Sequence, residues 1–99
     1  MYKVSDMYKV SEWHCRPTYR KEDLEAEEVV INVTPFKTRK EAKDFIEGKL
    51  RGKKDAWRRY HRGNEKSYCG YYTGKTWVHE NNGETYREAF TYELSKVQL

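Results

Sequence analysis

Residues 29–50 read VVINVTPFKTRKEAKDFIEGKL, a β-branched run that a proline turns into a capped amphipathic helix. Val29, Val30, Ile31 and Val33 make the only densely aliphatic segment of the chain. With apolar neighbours on both faces, the run predicts a strand over 29–34 in an interior position of a sheet, stopped at Pro35. Thr38 followed by Glu41 has the spacing of a capping box, in which the Thr hydroxyl satisfies an exposed amide and contributes roughly 1 kcal/mol. A helix over about 38–51 follows, with Ala42, Phe45, Ile46 and Leu50 as the apolar stripe that needs a sheet beneath it. Leu50 continues the stripe, so Gly52 is expected to end the helix rather than Gly48.

Working outward, the C-terminal third is rich in aromatic and β-branched residues. Strands are predicted over 67–72, 76–80 and 85–97, separated by turns at Thr73-Gly74 and Asn81-Asn82-Gly83. In the last strand Tyr86, Phe90, Tyr92 and Leu94 share one face, while Arg87, Thr91, Glu93 and Ser95 share the other. Antiparallel strands after a single crossing helix define the class as α+β: an antiparallel sheet of four to five strands, ending in a meander, with one helix on one face.

At the other end, residues 1–12 repeat a hexamer, MYKVSD then MYKVSE. Six is an even step, so Tyr2, Val4, Tyr8 and Val10 would share one face of a strand, whereas a helix would rotate the copies apart. Residues 1–6 read as a duplicated and dispensable start. The same repeat would let an N-terminal strand slide or add to a sheet edge in a second molecule, which allows a homodimer. Trp13 to Arg16 are expected to end this strand, with Pro17 blocking its continuation. The acidic run from Lys21 to Glu28 is expected to form a loop or one helical turn with a solvated face.

A length of 99 residues fits one domain that buries roughly 65% of the surface its unfolded chain exposes. Nine Tyr, three Trp and three Phe must supply buried area that aliphatics supply elsewhere. Charged residues reach 36% and mean hydropathy is −1.17, values that raise disorder, but the aromatic content and regular alternation favour a folded domain. No apolar run exceeds three residues, which leaves no membrane-spanning helix or secretory segment and gives a cytoplasmic expectation. Cys15 and Cys69 are too few for a disulfide framework and read as thiols.

Residues 49–66 carry eight cations against Asp55 and Glu65, in a chain whose net charge is +4. Trp57, Tyr60 and His61 are interleaved with these cations. Both a helical face and an alternating strand fit residues 54–62. Cations at phosphate spacing beside flat rings suit nucleic acid, so Lys53, Lys54, Trp57, Arg58, Arg59, Tyr60 and Arg62 are the candidate partner-binding residues. No RNA-recognition motif, KH loop, helix-turn-helix, zinc finger or phosphate-cradling glycine loop is present. His14 with Cys15, and Cys69 with His79, lack zinc spacing, so neither a metal nor another cofactor is expected.

Three functional readings follow from these residues. The first is a non-enzymatic binding module that docks on a protein or a protein–nucleic acid assembly, steered by its acidic and basic segments and anchored by Tyr, Trp and Arg. Inhibitors and accessory proteins of phages and mobile elements share this build, an association of size and composition and not of family. The second is direct RNA or DNA binding through residues 49–66. The third, more distant, is a small metal-independent ribonuclease using His61 or His79 with Tyr60 and Arg59.

Overall fold

A computed structural model describes residues 7–19, 24–62, 65–78, 83 and 85–97, with 16–19, 24–28 and 77 described through their backbone alone. The elements are β1 (Met7–Tyr19), β2 (Leu24–Phe36), α1 (Arg39–Leu50), β3 (Ala56–Arg59), β4 (Ser67–Val78) and β5 (Thr85–Val97). They build one five-stranded sheet in the order β2-β1-β5-β4-β3, and every pairing is antiparallel. Helix α1 packs on one face, so the α+β class expected from the sequence is the class observed.

The helix forms where its caps dictate. Thr38 is extended at φ −125° and its Oγ1 accepts from the Glu41 amide at 3.2 Å. Ala42, Ile46 and Leu50, one turn apart, are buried against the sheet. The Lys53 amide donates to the Leu50 carbonyl at 3.0 Å, and Gly52 at φ +78° takes the left-handed conformation that a non-glycine residue resists.

Directly paired residues share a face of a sheet. Tyr8, Val10 and Glu12 therefore lie beside Leu94 and Tyr92, which lie beside Ser67 and Cys69. Val10, Cys69, Tyr92 and Leu94 on this face close on Ala42, Ile46 and Leu50 to make the core, and Tyr8, Phe36, Phe45, Tyr60, Tyr71 and Phe90 pack around it. Each fully buried aliphatic contributes about 1.5–3 kcal/mol relative to exposure. The second copy of the N-terminal hexamer is the start of β1, flanked on both sides by strands, while the first copy lies outside the described residues.

Several expectations are corrected. The Val29–Thr34 run is at the edge of the sheet, not its interior. Its residues Val30, Ile31 and Val33 are 43%, 50% and 51% exposed. The reason is nonlocal: β1 takes β5 as its second neighbour, so β2 is left with a single partner. Residues 24–28 are strand rather than loop or helical turn, because their backbone pairs with Pro17, Arg16 and their neighbours in β1 and overrides a local helical preference. Residues 21–23 lie outside the described residues.

Strand β1 also runs past Pro17, which pairs with Ala26. Its contact with β5 stops at Cys15, and a ribbon with one neighbour directs alternate N–H groups outward, where a missing donor costs little. Thr73-Gly74 is not a turn between strands but an irregularity inside β4. Tyr72 pairs with Ala89 and Thr76 with Arg87, so β4 carries surplus residues there, and Gly74 at φ +94° absorbs them. Residues 56–59 resolve the ambiguity over 54–62 in favour of a strand, which ends the meander at the edge opposite β2.

Candidate functional site

Alternation along β3 divides its four side chains between the faces of the sheet. Ala56 joins the helix-side core, Arg58 reaches the helix, and Trp57 and Arg59 project from the other face. Trp57 pairs with Gly70 of β4. A methyl group at Gly70 would collide with the indole carbons Cζ2 and Cη2 and with the Phe90 carbonyl, so the absence of a side chain there lets the ring lie down on the strand. The indole then meets Tyr72, with ring centroids 4.9 Å apart and planes at 38°. Arg87 of β5 places its guanidinium carbon 3.7 Å from the Tyr72 centroid, and its Nη2 lies 3.9 Å from Asp55 Oδ2.

These groups surround an open cavity of about 650 Å³ lined by Lys54, Asp55, Ala56, Trp57, Arg59, Tyr68, Tyr72 and Arg87. Three cations, three aromatic rings and one carboxylate thus converge on the face that α1 leaves uncovered. A neighbouring cavity of about 450 Å³ shares Lys54, Asp55 and Tyr72 and adds Lys53, whose Nζ sits 4.8 Å over the Tyr71 ring.

The seven residues singled out in the sequence therefore separate. Lys54, Trp57 and Arg59 come together in the larger cavity, and Lys53 lies in the smaller one. Arg58 and Tyr60 are on the helix side. The Arg58 Nε donates to both carboxylate oxygens of Glu47, at 2.7 and 2.8 Å, and this hydrogen bond raises the guanidinium pKa further. Tyr60 donates its hydroxyl to Glu47 at 3.4 Å and carries Lys43 Nζ 4.5 Å above its ring. Burial, then the neighbouring Cys69 and Glu47, push the Tyr60 phenol well above its ordinary value. Arg62 is exposed beyond the end of β3.

Tyr68, Tyr72 and Arg87 were not anticipated. Their signal was the alternation Tyr68, Gly70, Tyr72, which places a glycine between two rings on one face, and the Arg87 position in the exposed half of β5.

Of the thiol and imidazole pairings weighed in the sequence, His14 with Cys15 does not assemble. His14 and Cys15 are consecutive in a strand and point to opposite faces. Cys69 is buried in the core beside Tyr60, and His79 lies outside the described residues. Cys15 and Cys69 also fall on opposite faces, and no disulfide joins them. His14 stacks on Phe90 at 4.5 Å and brings Nε2 to 3.2 Å from Glu88 Oε2. His61 is taken up by local contacts: its amide donates to Ser67 Oγ at 2.8 Å, its carbonyl accepts from Arg39, and its Nδ1 lies 3.5 Å from Glu65. Among the described residues no three His, Cys, Asp or Glu side chains converge as a metal site would require. Among them, too, no helix is long and apolar enough to cross a membrane.

The class defined by this geometry is a small α+β domain with one covered and one open sheet face. No family model matches the chain, and no curated protein or solved structure matches it either, so the cavity and its surroundings carry the functional reading.

Proposed function

We propose that the chain is a non-enzymatic binding module that takes a single-stranded nucleic acid on its helix-free face, alone or as part of a nucleoprotein assembly. One observation carries this reading: Trp57, Tyr72 and Arg87 lie in contact one after another at the rim of a cavity to which Lys54, Arg59 and Tyr68 also belong. Flat rings that offer a face to solvent accept unstacked bases, at about 1–3 kcal/mol per base, while the cations track the phosphates. Asp55 is held near Arg87, so the polar character of the cavity is cationic. Trp, Tyr and Arg anchor protein interfaces as well, and it is the convergence of three cations on the cavity that favours a polyanion. Of the exposed large aliphatic side chains, Val30, Ile31 and Val33 lie at the opposite edge and Val78 ends β4.

The test is anisotropy of a short labelled oligonucleotide titrated with the protein at several salt concentrations. Three phosphate contacts predict a slope of log Kobs against log salt of about −2, from roughly −0.7 per contact on a single strand. No binding at low salt overturns the reading. A salt-insensitive, nuclease-resistant complex with a protein would return the same face to protein docking.

A further inference from the structure

We infer that the outer edge of β2 pairs with the β2 of a second copy, antiparallel across a two-fold axis. Natural sheets protect an edge by keeping it short or by charging it, because a row of unpaired N–H and C=O groups recruits other strands. Strand β3, the other edge, follows that rule with four residues of which two are Arg. Strand β2 does not. It is 13 residues long, the stretch from Val29 to Phe36 contains no charged residue, and Val30, Ile31 and Val33 are about half exposed. Among the described residues no strand pairs with its outer side. Ile31 is set apart further, since the register steps from Asn32 opposite Glu12 to Val30 opposite Trp13 and leaves it without a partner in β1.

The occupant is argued from the charge along the strand. Glu25, Glu27 and Glu28 stand at its start and Lys37 directly follows its end, while Arg39 and Lys40 belong to α1, held by the His61 carbonyl and by Asp44. An antiparallel pair of identical strands sets the acidic start of one beside Lys37 of the other, and a parallel pair would set the glutamates of the two copies side by side. The strand is therefore complementary to itself in the sense that a two-fold interface requires. This pairing is independent of the ligand proposed above. It would leave the two Trp57 cavities at the far ends of one continuous sheet.

The test is sedimentation equilibrium on the full chain, with a mass near twice 12.0 kDa expected. A monomer at every accessible concentration overturns the inference. The double substitution Ile31→Lys and Val33→Lys, at exposed positions, is expected to raise the dimer dissociation constant at least about tenfold by burying charge at the interface. Lys37→Glu is expected to raise it less. A dimer that keeps its affinity in the double variant overturns the assignment to β2. Hydrogen exchange of the wild-type protein needs no variant: amides of residues 29–34 should gain protection as concentration rises. Protection that does not change with concentration assigns the edge to another segment of the same chain and overturns the dimer.

Discussion

The two edges of this sheet are built in opposite ways. Strand β2 is long, uncharged through its second half and lined with exposed aliphatics, whereas β3 is four residues long and carries Arg58 and Arg59. The helix runs between them, from the end of one to the start of the other, and covers a single face. The difference shows that one sheet can present two kinds of surface without a second domain: backbone hydrogen bonds and aliphatic area at one margin, rings and cations at the other. The physical separation of the two is what makes each testable alone.

The largest expected effect is at the β3 margin. Gly70→Ala places a methyl group against the Phe90 carbonyl and the Trp57 ring, so it should lower stability by about 1–3 kcal/mol and weaken oligonucleotide binding as the indole is displaced. Urea denaturation and anisotropy on the same sample read both. Trp57→Ala should cost about 1–3 kcal/mol of binding where Trp57→Phe keeps most of it; equal affinity in both variants would break the assignment of stacking to this ring. At the β2 margin the sign of the comparison reverses. Ile31→Lys should change monomer stability by no more than about 0.5 kcal/mol, since its side chain is half exposed, and a larger loss in thermal melts at concentrations low enough to keep both proteins monomeric would show that the edge is part of the core after all.

Titration probes the strands that join the two margins. Burial pushes the Glu88 carboxyl up, but the neighbouring Thr73 hydroxyl and His14 imidazole, with the charge of Lys75, outweigh it and hold the group below its ordinary value of 4.5. A depressed carboxyl stabilises the fold above that value and ceases to do so as pH falls through the folded-state value. The urea midpoint should therefore drop on acidification below 4.5, by a smaller amount in Glu88→Gln. In alkali the sign is opposite. Burial raises the phenols of Tyr60 and Tyr92 above the ordinary 10.0, so stability should decline as pH rises past 10.0, where the unfolded chain ionises first. A control away from both margins is Gly48→Ala, in the exposed face of α1 with open space around it, which should stabilise by about 0.5–1 kcal/mol.

What could be read from the chain in advance follows the range of the forces involved. The helix was legible to within a residue at each end, because Thr38, Glu41, Leu50 and Gly52 act through neighbours on the same turn. The position of Val29–Thr34 was not, since a β-branched run announces a strand but not how many partners that strand will have. Thr73-Gly74 misled for a related reason: a glycine with positive φ serves a bulge as well as a turn, and only the partner strand decides. At the candidate site, Lys54, Trp57 and Arg59 were visible as a cationic and aromatic run. Strand alternation then sent Arg58 and Tyr60 to the helix side, which helical periodicity, equally compatible with the sequence, would not have done. Tyr72 and Arg87 escaped notice because a site on a sheet face collects side chains from three strands that are remote in the chain.

The middle of the sheet has a consequence for how the molecule is made. Strand β1 sits beside β5, with Met7 opposite Val97, so its inner flank is closed by a strand that comes after all the other elements described. During translation the β1–β2 pair must wait, with that flank open, until about sixty residues beyond Phe36 have emerged, and contacts of such long sequence separation slow folding. A chaperone or a nascent neighbour would meet β1 in that interval, well before the Trp57 cavity exists.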